Sequence, residues 1–579
     1  MIAAYQPDLA PLGGSLALSA LVACLPLLTI FITLGGLRWK AHIAGLTALG
    51  VALLVAILIY RMPPLLAFGS AVQGGVFGLF PIMWIVFNAI VLYEITVHSG
   101  RFEDLRKVFD LISDDPRVQA IVIAFCFGGL MEALAGFGAP VAITGVMLMA
   151  VGFSALRAAT VVLLANTAPV AFGAIGTPIL TAGRLTHIDP ATIGAYVGHQ
   201  TPIIAFFVPM FIAFLTDGKR GLRQTWPLAV VAGAVFGVTQ WISATYISME
   251  LTDIISSLCG LAAIVVMLRF WQPQGRDEAR ASLFEAHQRE IAELGASDPN
   301  DPTGTMAGAG HSGGAGAATA TQTRQDTSPL TGGRIFMALF PYLLVIAFFT
   351  VAKLVPAANA ALTATDLKIP WPGLDGQVLT AAGTPNSSTV YTFTWLSSPG
   401  TILLICGLIV AFAYRVSLAD WAKVVAFNAH KMRFAILTVA TVLSLAYVMN
   451  LSGQTITIGH WIAGTGAAFA FLSPVLGWLG TAVTGSDTSA NALFATLQQT
   501  AAQEIGIDPT LLVAANTSGG VVGKMISPQN LTIAATAVGL LGREADIFRK
   551  VIWWSLSLLV VMCLIVGLQS TPVLSWMLP

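Results

Sequence analysis

Long apolar runs recur along almost the whole chain. The clearest of them occupy residues 15–36, 41–60, 74–94, 193–215 and 551–567. A helix needs about 20 mostly apolar residues to cross a bilayer, and on that basis we expect about 11 to 14 crossings. The runs are continuous rather than alternating, which argues against a β-barrel. The pattern therefore predicts an all-α, polytopic integral membrane protein.

Composition and charge agree with this prediction. Of the 579 residues, 56% are hydrophobic and 10% are charged, whereas a soluble domain carries roughly 25% charged residues. The net charge is zero and no long basic tract occurs, so nucleic-acid binding is not expected. Arg38 and Lys40 follow the first run, and no Lys or Arg precedes them. The positive-inside rule then places the N-terminus outside and this loop in the cytoplasm.

Two polar segments divide the chain. Residues 272–333 begin with charged residues and continue with Gly, Ala, Thr and Ser, a composition typical of a mobile linker. For the charged part we expect a solvated linker, with a short surface helix as the alternative. This cytoplasmic linker separates a first membrane half, 1–271, from a second, 334–579. The charge rule places the other polar segment, 356–398, outside.

Two motifs occur once in each half and in the same order. The first half has EALAGFGAP at 132–140, followed by LANTAPVAFGAIGTPI, and the second has TAVTGSDTSANALF at 481–494, followed by AANTSGGVVGKMISPQN. The later motifs align at identical spacing from Asn166 to Pro178 and from Asn516 to Pro528. We therefore predict an internal repeat that covers 132–179 and 481–530. Counting crossings brings the chain into the two copies from opposite sides, so we expect two inverted repeats, as in many secondary transporters.

Gly and Pro clusters interrupt the apolar runs at these motifs. Interruptions leave backbone groups without helical partners, which is tolerated only where the backbone is buried or lines a cavity. About 13 apolar residues stand on each side of residues 135–140, too few for a crossing. The pattern predicts re-entrant hairpins, with Gly136 and Gly138 at the first tip, and broken helices at the Asn-Thr segments. Close helix packing is the alternative role of such glycines.

Polar residues cluster at the predicted breaks and suit a small carboxylate with a 2-hydroxyl group. Lys524 is expected to attract the substrate anion, and hydrogen bonding between helices is the alternative role of the neutral residues. The predicted substrate-binding residues are Gly136, Gly138, Asn166, Thr167, Thr177, Ser486, Thr488, Ser489, Asn516, Thr517, Lys524 and Ser527.

Ionisable groups inside a membrane are costly and usually functional. Glu132 and Asp487 are predicted to couple protons, because burial favours the neutral form of a carboxyl group. His199 is a third candidate, since imidazole titrates near neutral pH. The alternatives are a purely structural pair of Lys524 with Asp487 and, for His199, a packing hydrogen bond. Because no catalytic, nucleotide-binding or metal-ligand motif is present, we predict no enzyme activity, cofactor or metal.

At these motifs the sequence resembles the lactate permease family, which includes the glycolate permeases. The resemblance covers most of the chain and is most specific at 132–143, 166–179, 484–494 and 516–530. It implies a multi-pass carrier of the bacterial cytoplasmic (inner) membrane that imports L-lactate, D-lactate or glycolate with protons. Its other partners would be membrane lipid and a second copy in a homodimer, an assembly that the sequence leaves open.

A more distant similarity joins the paired Ala-Asn-Thr segments to the Ser-Asn-Thr motifs of elevator-type carboxylate transporters in the ion-transporter superfamily. That similarity implies a mobile transport domain that slides against a scaffold. Ala165 and Ala515 stand where those relatives have Ser, so sodium binding is not carried over. A sodium-coupled or exchanging transporter for another small organic anion is the alternative, and a channel or a receptor-like sensor belongs to a different class.

Overall fold

Ten helical runs in the described part of the chain are long and apolar enough to cross a membrane. The computed structural model describes residues 4–37, 39–110, 112–136, 138–294, 331–540 and 543–579. One run contains a helical hairpin, Thr201–Ile242, in which Asp217 and Gly218 leave helical geometry. A Cβ atom at Gly233 would lie 2.1 Å from the Phe206 carbonyl oxygen. The two arms of this run therefore pack against each other.

The described residues are mainly helical in both halves. The helices of the first half are Leu16–Ala23, Leu25–Phe31, Ala41–Leu54, Pro64–Phe77, Trp84–His98, Arg101–Asp110, Pro116–Ala120, Gly128–Ala135, Ala139–Val151, Ala155–Ala165, Thr177–Thr186, Pro190–Gly198, Thr201–Ile242 and Thr252–Phe270. Those that follow are Arg276–Leu294, Gly332–Leu354, Pro356–Thr363, Pro399–Ala413, Leu418–Ser452, Gln454–Ala463, Phe469–Thr484, Asp487–Ile505, Pro509–Gly523, Pro528–Ala537 and Glu544–Gln569. Two short antiparallel strands, Leu367–Pro370 and Val390–Phe393, are a local exception to the all-α prediction.

Charged loops meet at one end of the helices. Arg117 pairs with Asp115 at 2.7 Å and donates a hydrogen bond to the Gln274 carbonyl oxygen at 2.7 Å. Arg334, at the start of Gly332–Leu354, pairs with Asp104. These contacts bring loops from both halves to one face, which the positive-inside rule places in the cytoplasm. Arg38, one of the cations behind that rule, lies outside the described residues.

The charged part of the predicted linker is the helix Arg276–Leu294, so the expectation of a solvated linker was wrong there. Ala279 and Leu283 are buried, and Arg280 donates a hydrogen bond to the Asp114 carbonyl oxygen at 2.8 Å. Opposite charges one turn apart also support a helix, and tertiary contacts hold it against the membrane half. Residues 295–330, the low-complexity part, lie outside the described residues.

The polar segment 356–398, here named the outer cap, lies at the far end of Gly332–Leu354. That helix has 23 residues, which extend about 34 Å. The backbone of Tyr5 pairs with Gln377 at 2.7 Å and with Leu379 at 2.8 Å. The start of the described chain and the outer cap therefore share one face, as the charge rule predicted.

Candidate functional site

The first Gly-rich segment joins two helical arms that fold back on each other, here named the first hairpin. Helical residues run from 116 to 135, and Ala139–Val151 returns beside them. The first arm is longer than predicted, but 94% of its apolar window is buried, so protein rather than lipid surrounds it. Gly136 and Gly138 have φ angles of 34° and 88°, which glycine adopts without a Cβ clash. This tight tip places Glu132 one turn before it.

The second Gly-rich segment forms a second hairpin from Phe469–Thr484 and Asp487–Ile505. The arms meet at Gly485, whose φ angle is 76°. A Cβ atom at Gly480 would lie 2.8 Å from Ala490 Cβ, which shows how closely the arms pack. Asp487 and Thr488, the first residues of the helix that follows this tip, are buried in the protein.

Hydroxyl and carboxyl groups occupy the tip of the second hairpin. Ser486 caps the second arm, accepting a hydrogen bond from the Ser489 backbone N–H at 3.3 Å. Asp487 Oδ1 accepts one from Thr481 Oγ1 at 3.3 Å. Its Oδ2 is buried and has no hydrogen-bond partner among the described residues. An orphaned carboxylate oxygen at this position is available to a proton or to a substrate donor.

The first Asn-Thr segment is a broken helix, as predicted. Ala155–Ala165 ends at Asn166, and a regular helix begins again at Thr177–Thr186. Gly173, Ile175 and Gly176 have positive φ angles of 49°, 50° and 74°. A non-Gly residue with positive φ is uncommon, so Ile175 marks a constrained turn within this break.

The second Asn-Thr segment, 514–530, is also broken, as predicted, but the break comes later in the segment. Asn516 and Thr517 lie inside the continuous helix Pro509–Gly523, and the break comes only at the short 3-10 turn Lys524–Ile526. In this helix Gly519 packs closely against Pro474 and Gly520 against Asp487. The break within 514–530 therefore lies about two turns after Asn516.

The two hairpin tips and the two breaks surround a small cavity, here named the central pocket. It measures about 30 Å³, which is close to the volume of one water molecule in the liquid. Thr488 Oγ1 donates a hydrogen bond to Thr177 Oγ1 at 3.4 Å and joins the halves across it. The lining residues are Glu132, Gly136, Val170, Gly173, Ala174, Thr177, Pro178, Gly485, Ser486, Asp487, Thr488 and Lys524.

A buried ion pair crosses the central pocket. Lys524 Nζ lies 2.5 Å from Glu132 Oε1. The residues Lys524 and Glu132 are 6% and 2% exposed. The alternative that paired Lys524 with Asp487 therefore named the wrong partner, because the first hairpin brings Glu132 against the second break. Glu132 Oε2 is buried without a hydrogen-bond partner among the described residues, so this carboxylate can still accept a proton.

Asn516 and Thr517 form hydrogen bonds within the second half and do not line the central pocket. Asn516 Nδ2 and Thr517 Oγ1 donate to Asn491 Oδ1 at 3.1 Å and 3.0 Å. Asn516 Oδ1 accepts from Gln498 Nε2 at 3.4 Å. These bonds fix Pro509–Gly523 to the second hairpin, and their hydrogen-bonding capacity is largely used there.

The remaining predicted binding residues lie near the central pocket without lining it. Asn166 and Thr167 border a narrow space beside Lys524, and Asn166 Oδ1 has no hydrogen-bond partner among the described residues. Ser527 caps Pro528–Ala537 by accepting from the Asn530 backbone N–H at 3.3 Å. Gly138 packs against Ile533, and Ser489 is buried. The direct binding roles of these residues stay predictions.

His199 is not among the residues that line the central pocket. Its Nδ1 lies 2.7 Å from the Ala195 carbonyl oxygen, and its Nε2 lies 2.8 Å from Trp241 Nε1. Trp Nε1 can only donate, so the neutral ring donates from Nδ1 and accepts at Nε2. This arrangement fits a packing histidine, and the proton-coupling role stays a prediction.

Asp253 is a buried acid that the sequence analysis missed. It is the second residue of Thr252–Phe270 and is 1% exposed. Neither of its carboxylate oxygens has a hydrogen-bond partner among the described residues, and the charges of Glu132 and Lys524 act on it. In a sequence, an acid at the start of an apolar helix is usually interpreted as a residue at the membrane surface. The burial of Asp253 therefore becomes apparent only from the tertiary packing.

A larger cavity of about 1010 Å³, here named the outer vestibule, lies beneath the outer cap. Arg184, His187, Glu250 and Lys368 are among its lining residues. The helix Thr177–Thr186 connects the two cavities, because its first residue lines the central pocket and Arg184 lies about 10 Å further along it. This one helix therefore contributes residues to both cavities.

Ten apolar runs, two buried hairpins and a polar pocket inside the apolar region define a polytopic helical membrane protein of the transporter class. The sequence profile of the L-lactate permease family matches residues 19–573. The chain belongs to the L-lactate permease family, as the motifs predicted, and it is a multi-pass protein of the bacterial inner membrane.

Individual relatives cover nearly the full chain. It is 41% identical to the L-lactate permease of Bacillus subtilis (strain 168), over 98% of this chain and 99% of that one. It is 42% identical to a glycolate permease of Escherichia coli (strain K12), over 97% of each. Among solved structures, the YdaH transporter of Alcanivorax borkumensis aligns at 14% identity over 72% of this chain and 85% of that one. Its TM-score of 0.28 supports no conclusion.

Proposed function

We propose that the chain is a proton-coupled symporter that imports L-lactate, D-lactate, glycolate or a related 2-hydroxy monocarboxylate. The names of the relatives support this substrate class. The observation that carries the proposal is the Lys524–Glu132 pair of 2.5 Å, held in a pocket to which both hairpin tips contribute.

The central pocket offers complementary groups to such a substrate. Lys524 provides the cation for the carboxylate, and the N-terminus of Asp487–Ile505 adds a favourable helix dipole. The hydroxyl groups of Thr177 and Thr488 both donate and accept hydrogen bonds, which suits a 2-hydroxyl group. An uncharged substrate would leave Lys524 with no new partner, so the pocket selects for anions.

Competition for Lys524 supplies the coupling. When the substrate carboxylate takes Lys524, Glu132 loses the ion-pair partner that it has among the described residues. A buried unpaired charge is strongly unfavourable, so Glu132 binds a proton, for which Oε2 is available. One anion and one proton enter together, and the net charge of the pocket stays the same.

Substrate entry requires the central pocket to widen, since about 30 Å³ holds no three-carbon acid. We propose that the two hairpins and the two breaks move together against the outer scaffold, in the elevator manner that the paired motifs suggested. The inverted repeat and a homodimeric scaffold belong to the same proposal.

Uptake by purified protein in proteoliposomes tests the proposal. With an inward proton gradient, radiolabelled L-lactate should accumulate, a protonophore should abolish accumulation, and glycolate and D-lactate should compete while succinate does not. Sodium-dependent uptake without a response to the proton gradient would instead establish the sodium-coupled alternative. Non-saturable flux without counterflow would indicate a channel.

A further inference from the structure

Buried carboxyl groups outnumber the lysine around the central pocket. Glu132, Asp253 and Asp487 are 2%, 1% and 4% exposed, and among the acids that the structure describes Lys524 pairs with Glu132. Separate unpaired carboxylates in a medium of low dielectric constant carry a large free-energy cost. The neutral, protonated state removes this cost, and Asp253 meets the condition most fully because neither of its oxygens has a hydrogen-bond partner in the described part of the chain.

The side chain of Gln240, beside Asp253, has an acceptor without a partner among the described residues. Gln240, from the helical hairpin Thr201–Ile242, acts on Asp253, but its Nε2 donates to the Ala168 carbonyl oxygen at 3.0 Å. Gln240 Oε1 is buried without a partner among the described residues. An O–H group beside Gln240 would satisfy Oε1, whereas the second Nε2 hydrogen of Gln240 is available to an ionised Asp253. A protonated Asp253 supplies that O–H group.

The charged groups that act on Asp253 come from the elements packed around it. Glu132 belongs to the first hairpin and Lys524 to the second break, and both interact electrostatically with Asp253. A Cβ atom at Gly129 would lie 2.5 Å from Ser257 Oγ, so the first hairpin packs closely on the helix that carries Asp253. Asp253 is therefore held near the ion pair while remaining outside the lining of the central pocket.

A further carboxyl group leads from Asp253 to the outer face. Glu250 lines the outer vestibule and accepts a hydrogen bond from Ser248 Oγ at 2.7 Å. Asp253 follows three positions later, at the start of Thr252–Phe270. Glu250, Asp253 and Glu132 thus form a series from the vestibule to the ion pair.

We infer that Asp253 is a proton-binding site that loads Glu132 from the outer vestibule. As the substrate takes Lys524, the O–H proton of Asp253 passes to the carboxylate of Glu132, and the Asp253 carboxylate then takes a proton from vestibule water. Lys524 faces one deprotonated carboxylate at each stage. This inference rests on the proposed function, because it assigns the source of the coupled proton.

The test compares Asp253→Asn with Ser256→Ala in the full chain. Ser256 is buried on the same helix and bonds only to the Thr252 carbonyl oxygen among the described residues. Proton-driven lactate uptake should fall about 100-fold in Asp253→Asn, the scale of losing a proton-transfer group, and far more than counterflow at equal pH. Ser256→Ala should match the wild type in both assays, and Asp253→Glu should recover uptake.

Infrared difference spectra on a pH change provide a second readout. The wild type should show the C=O stretch of a protonated carboxyl group that Asp253→Asn lacks and Ser256→Ala keeps. An unchanged band and normal uptake in Asp253→Asn would overturn the inference while leaving the symport intact. If the wild type showed no proton-driven uptake, the proposed function would fail, and the band alone would still decide whether Asp253 holds a proton.

Discussion

Lys524 and Glu132 stand 392 positions apart in the chain and meet inside the membrane region at 2.5 Å. Each was recognisable in the sequence as a costly residue, but the partner was not, because it depends on how the first hairpin packs against the second break. The same packing conceals Asp253, whose position at a helix start gave no sign of burial. At the scale of residues, the chemistry was predictable and the pairing was not.

Removing one member of the buried pair should destabilise the protein more than removing both. Lys524→Gln or Glu132→Gln leaves a buried charge unpaired, which costs about 3 to 5 kcal/mol. We expect lower thermal unfolding midpoints in detergent for both single variants and partial recovery in the double variant. Lys431→Gln, in a partly exposed pair with Glu94 at 3.4 Å, should change stability by less than about 1 kcal/mol. Simple additivity would argue against the coupling.

Asp487→Asn should separate accumulation from exchange. The substitution keeps the shape of the side chain and removes a proton-binding site beside the central pocket. Proton-driven accumulation of lactate should be lost, with a smaller loss in counterflow. Asp366→Asn, in the outer cap, is the matched control and should accumulate normally. Wild-type accumulation in Asp487→Asn would remove it from the coupling step.

Among the helical elements, the second hairpin and Pro509–Gly523 approach too closely for side chains. A Cβ atom at Gly519 would lie 2.0 Å from the Pro474 carbonyl oxygen, a backbone clash that no side-chain rotation relieves. Gly519→Ala should therefore reduce folded yield and lactate uptake severely. Gly50→Ala, in Ala41–Leu54, meets nothing within 4 Å and should behave like the wild type, as size-exclusion chromatography and uptake would show.

The elements that could be predicted from the sequence are those determined by local residue properties. Gly136 and Gly485 made the hairpin tips predictable from the sequence, because only glycine readily adopts the positive φ angles that these tips require. The matched spacing of the two Asn-Thr motifs did not predict that Asn516 would remain helical. Its hydrogen-bond partners Asn491 and Gln498 come from another element. The helix Arg276–Leu294 likewise formed through contacts that composition does not encode.

At the scale of the whole molecule, His187, which directly follows the helix Thr177–Thr186, contacts the outer cap. His187 Nε2 lies 2.9 Å from Ser388 Oγ, while the Ser388 carbonyl oxygen accepts a hydrogen bond from Gln73 at 2.7 Å. An elevator movement of Thr177–Thr186 would have to separate His187 from the cap. This contact is therefore a place to detect the movement.

Cross-linking across this contact should stop transport. In a background without the native cysteines, His187→Cys with Ser388→Cys should lose lactate uptake after treatment with a short thiol cross-linker and regain it after reduction. Asp366→Cys with Ser397→Cys, within the cap, should keep uptake when cross-linked. Full uptake by the cross-linked 187–388 protein would contradict movement of this helix against the cap.

The single lysine in the central pocket has a consequence for energetics at the scale of the cell. If an incoming anion always replaces Glu132 at Lys524 and Glu132 always takes one proton, the loaded and empty carriers bear equal charge. Membrane voltage then exerts no net force on the loaded step, unlike on a carrier that moves net charge. Flux would follow only the two chemical gradients, and a cell rich in lactate at high external pH would export through the same protein.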